Sequence, residues 1–345
     1  MNEKESEPAT MVSVIMPVRN EEGYIRMSIG SVLAQDYPPD RLEVIVADGM
    51  STDGTRRIIE SIRADHPNVH VIDNAGKKVA TGLNAAIAHA RGDIIIRVDG
   101  HCTIAPDYVS RCVDHIRRDG VDCVGGAIHT IGETVRGEVI AAATSSRFGV
   151  GNSAFRTATD VTKLSDTVPF PAYTRSIINR AGPYDEELVR NQDDEYNYRL
   201  RKLGARLLLA SDIFSKYYCR SSLKSLWRQY YEYGYWKVRV MQKHPRQMRW
   251  RQFVPPVFVS TVGLCIILLP VWLAADIPLA LVAGAYLATN LSVSVMVAGR
   301  KNWRILPLLP LAFATIHAAY GTGFLDGLIR FRRRWGDTAG AGGKN

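Results

Sequence analysis

The sequence predicts an α/β domain on a mostly parallel sheet with helices on both faces, followed by a membrane-associated region. Three observations carry that expectation. Short apolar runs rich in β-branched residues alternate with segments of helical period through the first hundred residues. Turn-forming Gly, Asp and Asn separate them. At Phe253 the composition changes abruptly, and long apolar stretches follow.

The elements read in order. Val12–Val18 (VSVIMPV) is a buried strand. Asn20 is placed to cap a helix carrying Ile25, Ile29, Val32 and Leu33 on one face. Leu42–Ala47 is a second strand, and Ser51–Thr55 opens a helix with Ile58, Ile59 and Ile62. Val69–Ile72 is a third strand, 79–90 a helix, and Asp93–Val98 a fourth strand that stops at Asp99-Gly-His. Region 100–215 mixes strands, loops and helices, including a helix from Gln192 that ends at Gly204. Residues 223–241 read as an aromatic, basic, amphipathic helix pair suited to a membrane interface.

The apolar stretches 253–275 and 277–299 each reach the roughly 20 residues that a crossing helix needs. A third, 305–327, carries Pro307, Pro310, His317 and several glycines. The formal charge of +9 admits a nucleic-acid reading, but the basic residues cluster beside these stretches, as cytoplasmic flanks do. His244–Arg251, Arg300–Arg304 and Arg330–Arg334 are those clusters. If all three stretches crossed, Arg330–Arg334 would lie opposite the others. Two spans plus a re-entrant or interfacial third segment is therefore the preferred arrangement, with three spans as the alternative. Five cysteines without a CxxC pair suggest neither a disulfide framework nor a zinc site, and fit a reducing compartment.

Open sheets of this kind bind ligands outside the carboxyl ends of their strands. Asp48 stands at the second such end, in VADGMSTDGT, where a carboxylate can accept from a nucleobase imide or a ribose hydroxyl. Turn-making alone would also account for Asp48 and Asp53. Asp99 and His101 follow the fourth strand at i and i+2, so they can converge on one divalent ion, Mg²⁺ or Mn²⁺. A polar loop after a strand is the competing explanation. Gln192-Asp193-Asp194-Glu195 opens a helix; Asp193 is placed to act as a general base, although acids favour first helical turns anyway. Arg228, Gln229 and Trp236 suit a diphosphate or a sugar acceptor, or equally an interfacial anchor.

Together VSVIMPVRNEE, VADGMSTDGT, Asp99-Gly-His and QDDEYNYRLRKLG resemble family-2 glycosyltransferases over roughly 12–240. DGMSTDGT, RVDGH, SSRFGVGNSAFR and the His317–Gly327 stretch resemble, more closely, the bacterial succinoglycan and exopolysaccharide glucosyltransferase group. The resemblance implies a GT-A fold: a Rossmann-like, mostly parallel sheet, followed by interfacial helices and C-terminal transmembrane helices. It implies that Asp48 binds uracil or ribose and that Pro17, Arg19 and Glu21 flank the nucleotide. Asp99 takes the first position of the family's DxD motif, His101 its metal-binding second aspartate, and Asp193 the catalytic base, with Gln192 where an acid usually stands. Gln229 and Trp236 fit the family's QxxRW element only loosely, which argues for single addition rather than processive synthesis.

The expected organisation is a disordered tail (1–10), a catalytic domain (11–220), interfacial helices (221–252), a membrane domain (253–329) and a basic tail (330–345). The expected function is inverting, metal-dependent transfer of a sugar, glucose by the resemblance, from a UDP-sugar to a lipid-linked or membrane-bound acceptor. The site would be the cytoplasmic face of a cell's inner membrane. Nucleic acid is not an expected partner. A nucleotide-sugar-binding subunit without catalysis remains the alternative.

Overall fold

The computed structural model describes residues 10–151, 155, 161–219 and 222–335. The expected N-terminal tail lies almost wholly outside them, as do 336–345 of the basic tail and 152–154 and 156 of the RFGVGNSAFR stretch. The chain forms two compact units, Met1–His129 with Ala154–Tyr217, and Thr130–Ser153 with Tyr218–Asn345.

The first unit begins with β1 (Val12–Val18), α1 (Ile25–Leu33), β2 (Leu42–Asp48), α2 (Thr55–Asp65), β3 (Val69–Asp73), α3 (Val79–His89) and β4 (Ile94–Arg97). Strands β3, β2, β1 and β4 lie side by side and parallel. β1, β2 and β4 are buried at every position because both faces are covered, with Ser13, Glu43, Asp48 and Arg97 among the buried residues. Val12, Val14, Met16 and Val18 point into one core layer with Ile25, Ile29, Ile59 and Ile62 of α1 and α2. Ile15, Ile45 and Ile95 point into the other, with Ala80, Leu83 and Ala86 of α3.

The unit continues through β5 (Cys102–Ile104), α4 (Tyr108–Asp119) and β6 (Cys123–Ile131). Next come α5 (Val135–Thr144) and α6 (Arg147–Val150), which belong to the second unit. The chain returns with β7 (Lys163–Leu164), β8 (Ala172–Thr174), α7 (Arg175–Ala181), α8 (Gln192–Lys202) and β9 (Leu207–Tyr218). The sheet order is β3-β2-β1-β4-β8-β6-β9-β5, with β7 also on β9. Pairs β4/β8, β6/β8, β5/β9 and β7/β9 are antiparallel. Every one of these antiparallel pairs includes a strand that follows β4, whereas β6 and β9 run the same way, Cys123 beside Arg206 and Ile131 beside Cys219. Only residues 98–101 separate β4 from β5, far short of the dozen or so that a parallel crossover requires.

The second unit adds α9 (Leu223–Lys243), α10 (Val254–Leu268), α11 (Asp276–Arg300) and α12 (Leu309–Arg330) to α5 and α6. The sequence suggests a helix pair over 223–241; the structure holds one helix, α9. Gly234 does not break it, because the glycine sits where α12 comes closest to α9. Residues 130–151, read from sequence as part of the catalytic domain, gather instead with the C-terminal helices. Val139, Ala142 and Ala143 of α5 pack on Leu309, Ala312, Phe313 and Ile316 of α12. The third apolar stretch is that buried helix. Among the described residues, Trp250–Leu268 and Asp276–Arg300 are long and apolar enough to cross a membrane. They present exposed Val257, Ile267 and Leu281.

Candidate active site

The loops after β1 and β2 are laced together. Asn20 has a left-handed backbone (φ 55°), and its Oδ1 accepts from the Thr52 amide at 2.9 Å. It therefore ties loop to loop rather than capping α1, whose N-cap is Tyr24. The Glu21 amide donates to Thr55 Oγ1 at 2.7 Å and the Glu22 amide to Asp53 Oδ2 at 3.2 Å. Asp48, at the carboxyl end of β2, is 3% exposed. Its Oδ1 accepts from the Ser51 amide (3.1 Å) and hydroxyl (2.6 Å), and Arg56 Nη1 lies 3.5 Å from Oδ2. Of the other nucleotide-flanking candidates, Pro17 is buried within β1 opposite Ala47, and Arg19 is exposed.

Beyond β4 the chain carries Asp99, Gly100 and His101. Asp99 is gripped from both sides of its carboxylate by Arg97, Nε to Oδ1 at 2.9 Å and Nη2 to Oδ2 at 3.2 Å. His101 Nδ1 lies 3.0 Å from Glu21 Oε1, and its ring meets Tyr217 edge-on at 4.9 Å. A Cβ on Gly100 would lie 2.9 Å from Val18 Cγ1, so the glycine lets this loop pack against the end of β1.

Asp193 stands exposed in the first turn of α8, and the Asp194 amide donates to its Oδ1 at 3.0 Å. Gln192 is 5% exposed; its Oε1 has no hydrogen-bond partner among the described residues. Arg97 is bonded to Asp99 and feels the charge of Asp193. Burial opposes its charge, but Asp99 and then Asp193 outweigh that cost and hold the guanidinium protonated. Tyr184 shares this neighbourhood, and burial pushes its phenol up to about 12. The structure thus brings Asp99, Arg97 and Asp193 into one electrostatic group.

Arg97 escaped the sequence reading. Its signal was present: one charge in the apolar strand IIIRV, two residues before Asp99 and hence on the same side of an extended chain. Arg228, Gln229 and Trp236 lie on α9 and make their contacts within the second unit. Arg228 pairs with Glu232 at 3.0 Å, Gln229 donates to the Tyr233 hydroxyl at 3.0 Å, and Trp236 packs on Tyr235 and Phe331.

Among the described residues, no three His, Cys, Asp or Glu side chains gather as a metal cage. The donor set nevertheless suits a divalent ion. Asp99 offers oxygen and His101 an imidazole held by a carboxylate, the usual outer partner of a metal-bound histidine. Phosphate oxygens and water complete the shell of such ions at nucleotide sites.

Glycosyl transferase family 2 matches residues 13–181. The succinoglycan biosynthesis protein ExoA of Rhizobium meliloti is 30% identical over 328 residues, covering 94% of this chain and 97% of that protein. A dolichyl N-acetyl-alpha-D-glucosaminyl phosphate 3-beta-D-2,3-diacetamido-2,3-dideoxy-beta-D-glucuronosyltransferase of Methanococcus voltae is 27% identical over 327 residues, covering 92% and 97%. Among solved structures, the mannosyltransferase PcManGT from Pyrobaculum calidifontis, in complex with GDP-Man and Mn²⁺, has a TM-score of 0.57 at 20% identity. That match covers 94% of this chain and 91% of PcManGT. The mixed sheet with its strand-end carboxylates is a GT-A fold, and the chain belongs to glycosyl transferase family 2.

Proposed function

We propose that this glycosyltransferase moves a hexose, glucose by resemblance, from a UDP-sugar to a lipid-linked or membrane-bound acceptor, with inversion, in polysaccharide or glycolipid synthesis. The observation that carries the reading is Arg97, bonded to Asp99 and within electrostatic reach of Asp193. It joins the carboxylate suited to the donor diphosphate to the one suited to the acceptor hydroxyl.

In this reading Asp48 accepts from the uracil or ribose. Asp193 takes the proton of the acceptor hydroxyl. The acceptor oxygen bonds to the sugar's anomeric carbon on the face opposite the diphosphate, whose bond to that carbon breaks. The new linkage is therefore inverted, and UDP departs. Asp99 and His101 would hold a divalent cation, which when bound neutralises the departing diphosphate. The Mn²⁺ complexed with PcManGT supports a divalent cofactor. The lipid-phosphate name of the M. voltae relative supports a lipid-linked acceptor. The two apolar helices support attachment to a membrane with the catalytic unit on its cytoplasmic face.

The test incubates the solubilised protein with UDP- and GDP-sugars, with Mg²⁺, Mn²⁺ or chelator, and with or without membrane lipid extract, reading nucleoside diphosphate release. Release from one UDP-sugar that requires metal, rises with lipid and vanishes in Asp193→Asn is the expected result. UDP binding without release from any donor would instead favour a nucleotide-binding subunit of a membrane complex.

A further inference from the structure

The last described turn of the chain carries more positive charge than the fold needs. Helix α12 ends at Arg330, which pairs with Asp326 one turn earlier at 3.2 Å. Asp326 also accepts from the Tyr231 hydroxyl of α9 at 2.7 Å. That pair satisfies the dipole at the helix end. Arg332, Arg333 and Arg334 lie beyond it in a separate exposed turn. Among the described residues, Arg332 and Arg333 meet no carboxylate.

This turn is held in place rather than trailing. The side chain of Gln242, 8% exposed, donates to the Phe331 carbonyl at 2.7 Å. Arg239, 3% exposed, donates to the Arg334 carbonyl at 3.2 Å. Phe331 itself is wedged between Tyr235 and Trp236 of α9. Two buried polar side chains and an aromatic pair therefore fix a backbone whose own side chains are arginines. They line an open surface depression of about 680 Å³ with Tyr235 and Asp326. The Arg332 and Arg333 guanidinium groups, side by side in this turn, match the paired oxygens of a phosphate ester.

We infer that the Arg332–Arg334 turn, with Tyr235, is a recognition site for the phosphate or diphosphate group of a membrane lipid. It rests on the lipid-acceptor reading above and names where the phosphate of that lipid is held. The same chemistry occurs in bulk anionic headgroups and in polyprenyl phosphates, so the experiment separates the two sources.

Wild type and Arg332→Gln/Arg333→Gln are reconstituted in neutral-lipid nanodiscs with UDP at saturation, which fills the donor site. Inorganic diphosphate, a polyprenyl phosphate and phosphatidylglycerol are titrated in separate arms. Lys224→Gln/Arg136→Gln, which removes two exposed charges elsewhere in the same unit, is the control. Unchanged UDP affinity shows that each variant is folded. The double variant is expected to bind diphosphate and polyprenyl phosphate at least tenfold more weakly, while the control binds as wild type. Loss confined to diphosphate and polyprenyl phosphate assigns the site to the acceptor; loss of phosphatidylglycerol as well assigns it to headgroups in general. Wild-type affinity in all arms, or an equal loss in the control, overturns the inference. Absence of UDP binding from wild type and variants alike would be a failure of the transferase reading instead; equal thermal midpoints of wild type and variants would then show folding, and the lipid arms would still decide this site.

Discussion

A Cβ built on Gly323 of α12 would lie 2.1 Å from the Tyr231 carbonyl oxygen of α9, so these helices meet backbone to backbone. Gly234 makes the reciprocal approach, 2.1 Å from the Tyr320 carbonyl, and Gly327 another at 2.7 Å from that of Tyr235. The obstacle is main chain, which no rotamer change relieves. Gly323→Ala is expected to destabilise the protein by about 1–3 kcal/mol. Gly30→Ala in α1, where nothing lies within 4 Å, is expected to stabilise it by about 0.5–1 kcal/mol. Thermal midpoints of the solubilised variants should move in opposite directions. A Gly323→Ala midpoint at or above wild type would refute the close packing.

Glu21 reaches from the β1–α1 loop to His101 Nδ1 and fixes the ring. A carboxylate behind a metal-bound imidazole orients it and strengthens it as a donor, and losing that partner typically costs about 10–100-fold in metal affinity. Glu21→Gln should weaken Mn²⁺ binding to that extent, read by the loss of the free-ion electron paramagnetic resonance signal on titration. Unaltered Mn²⁺ affinity would remove His101 from the metal site.

Much of this was legible in the sequence, for definite reasons. The strands β1, β2 and β4 are short runs dominated by β-branched apolar residues, and that pattern suits a doubly covered parallel sheet whatever follows. Asp48, Asp99 and Asp193 stand at two strand ends and a helix start, and their joint arrangement with the family resemblance made them candidates. The antiparallel half was obscure because β5, β7 and β8 have only two or three residues each, too few for a period to show. The allegiance of α5 to the C-terminal helices depends on contacts more than 160 residues apart in the chain, which no local pattern encodes. Arg97 was overlooked because a charge within an apolar strand looks like an exception until its partner is located.

Arg97 and Asp99 are both largely buried, with side chains 10% and 22% exposed. Breaking such a pair from one side strands the remaining charge. Arg97→Gln is expected to cost about 3 kcal/mol of stability. The freed Asp99 carboxylate should at the same time bind Mn²⁺ more tightly, while sugar transfer falls. Arg97→Lys, which keeps the charge but not the two-pronged grip, should recover more stability than transfer. Denaturant unfolding and Mn²⁺ titration of both variants test this. Weaker Mn²⁺ binding by a folded Arg97→Gln protein would mean that Arg97 supports the metal site rather than competing for its carboxylate.

The first unit carries a second charge group, around the buried His115 of α4 and reaching to Asp212 of β9. His115 places Nδ1 2.7 Å from Asp119 Oδ2 and Nε2 2.9 Å from Asp212 Oδ1. The Arg118 guanidinium and His115 hold the Asp119 carboxyl down at about 2, and Asp212 is also lowered, its bonds to His115 outweighing its burial. A carboxyl with a folded pKa below its ordinary 3.8 binds its proton more readily in the unfolded chain. Its stabilisation is therefore complete above that value and is lost as the pH falls from 3.8 towards about 2. Asp119→Asn removes this titration. Denaturation midpoints should differ between wild type and variant near neutrality and converge at the acid end of that window. A wild type whose advantage over Asp119→Asn persisted undiminished at the acid end would show that the carboxylate's charge contributes nothing there.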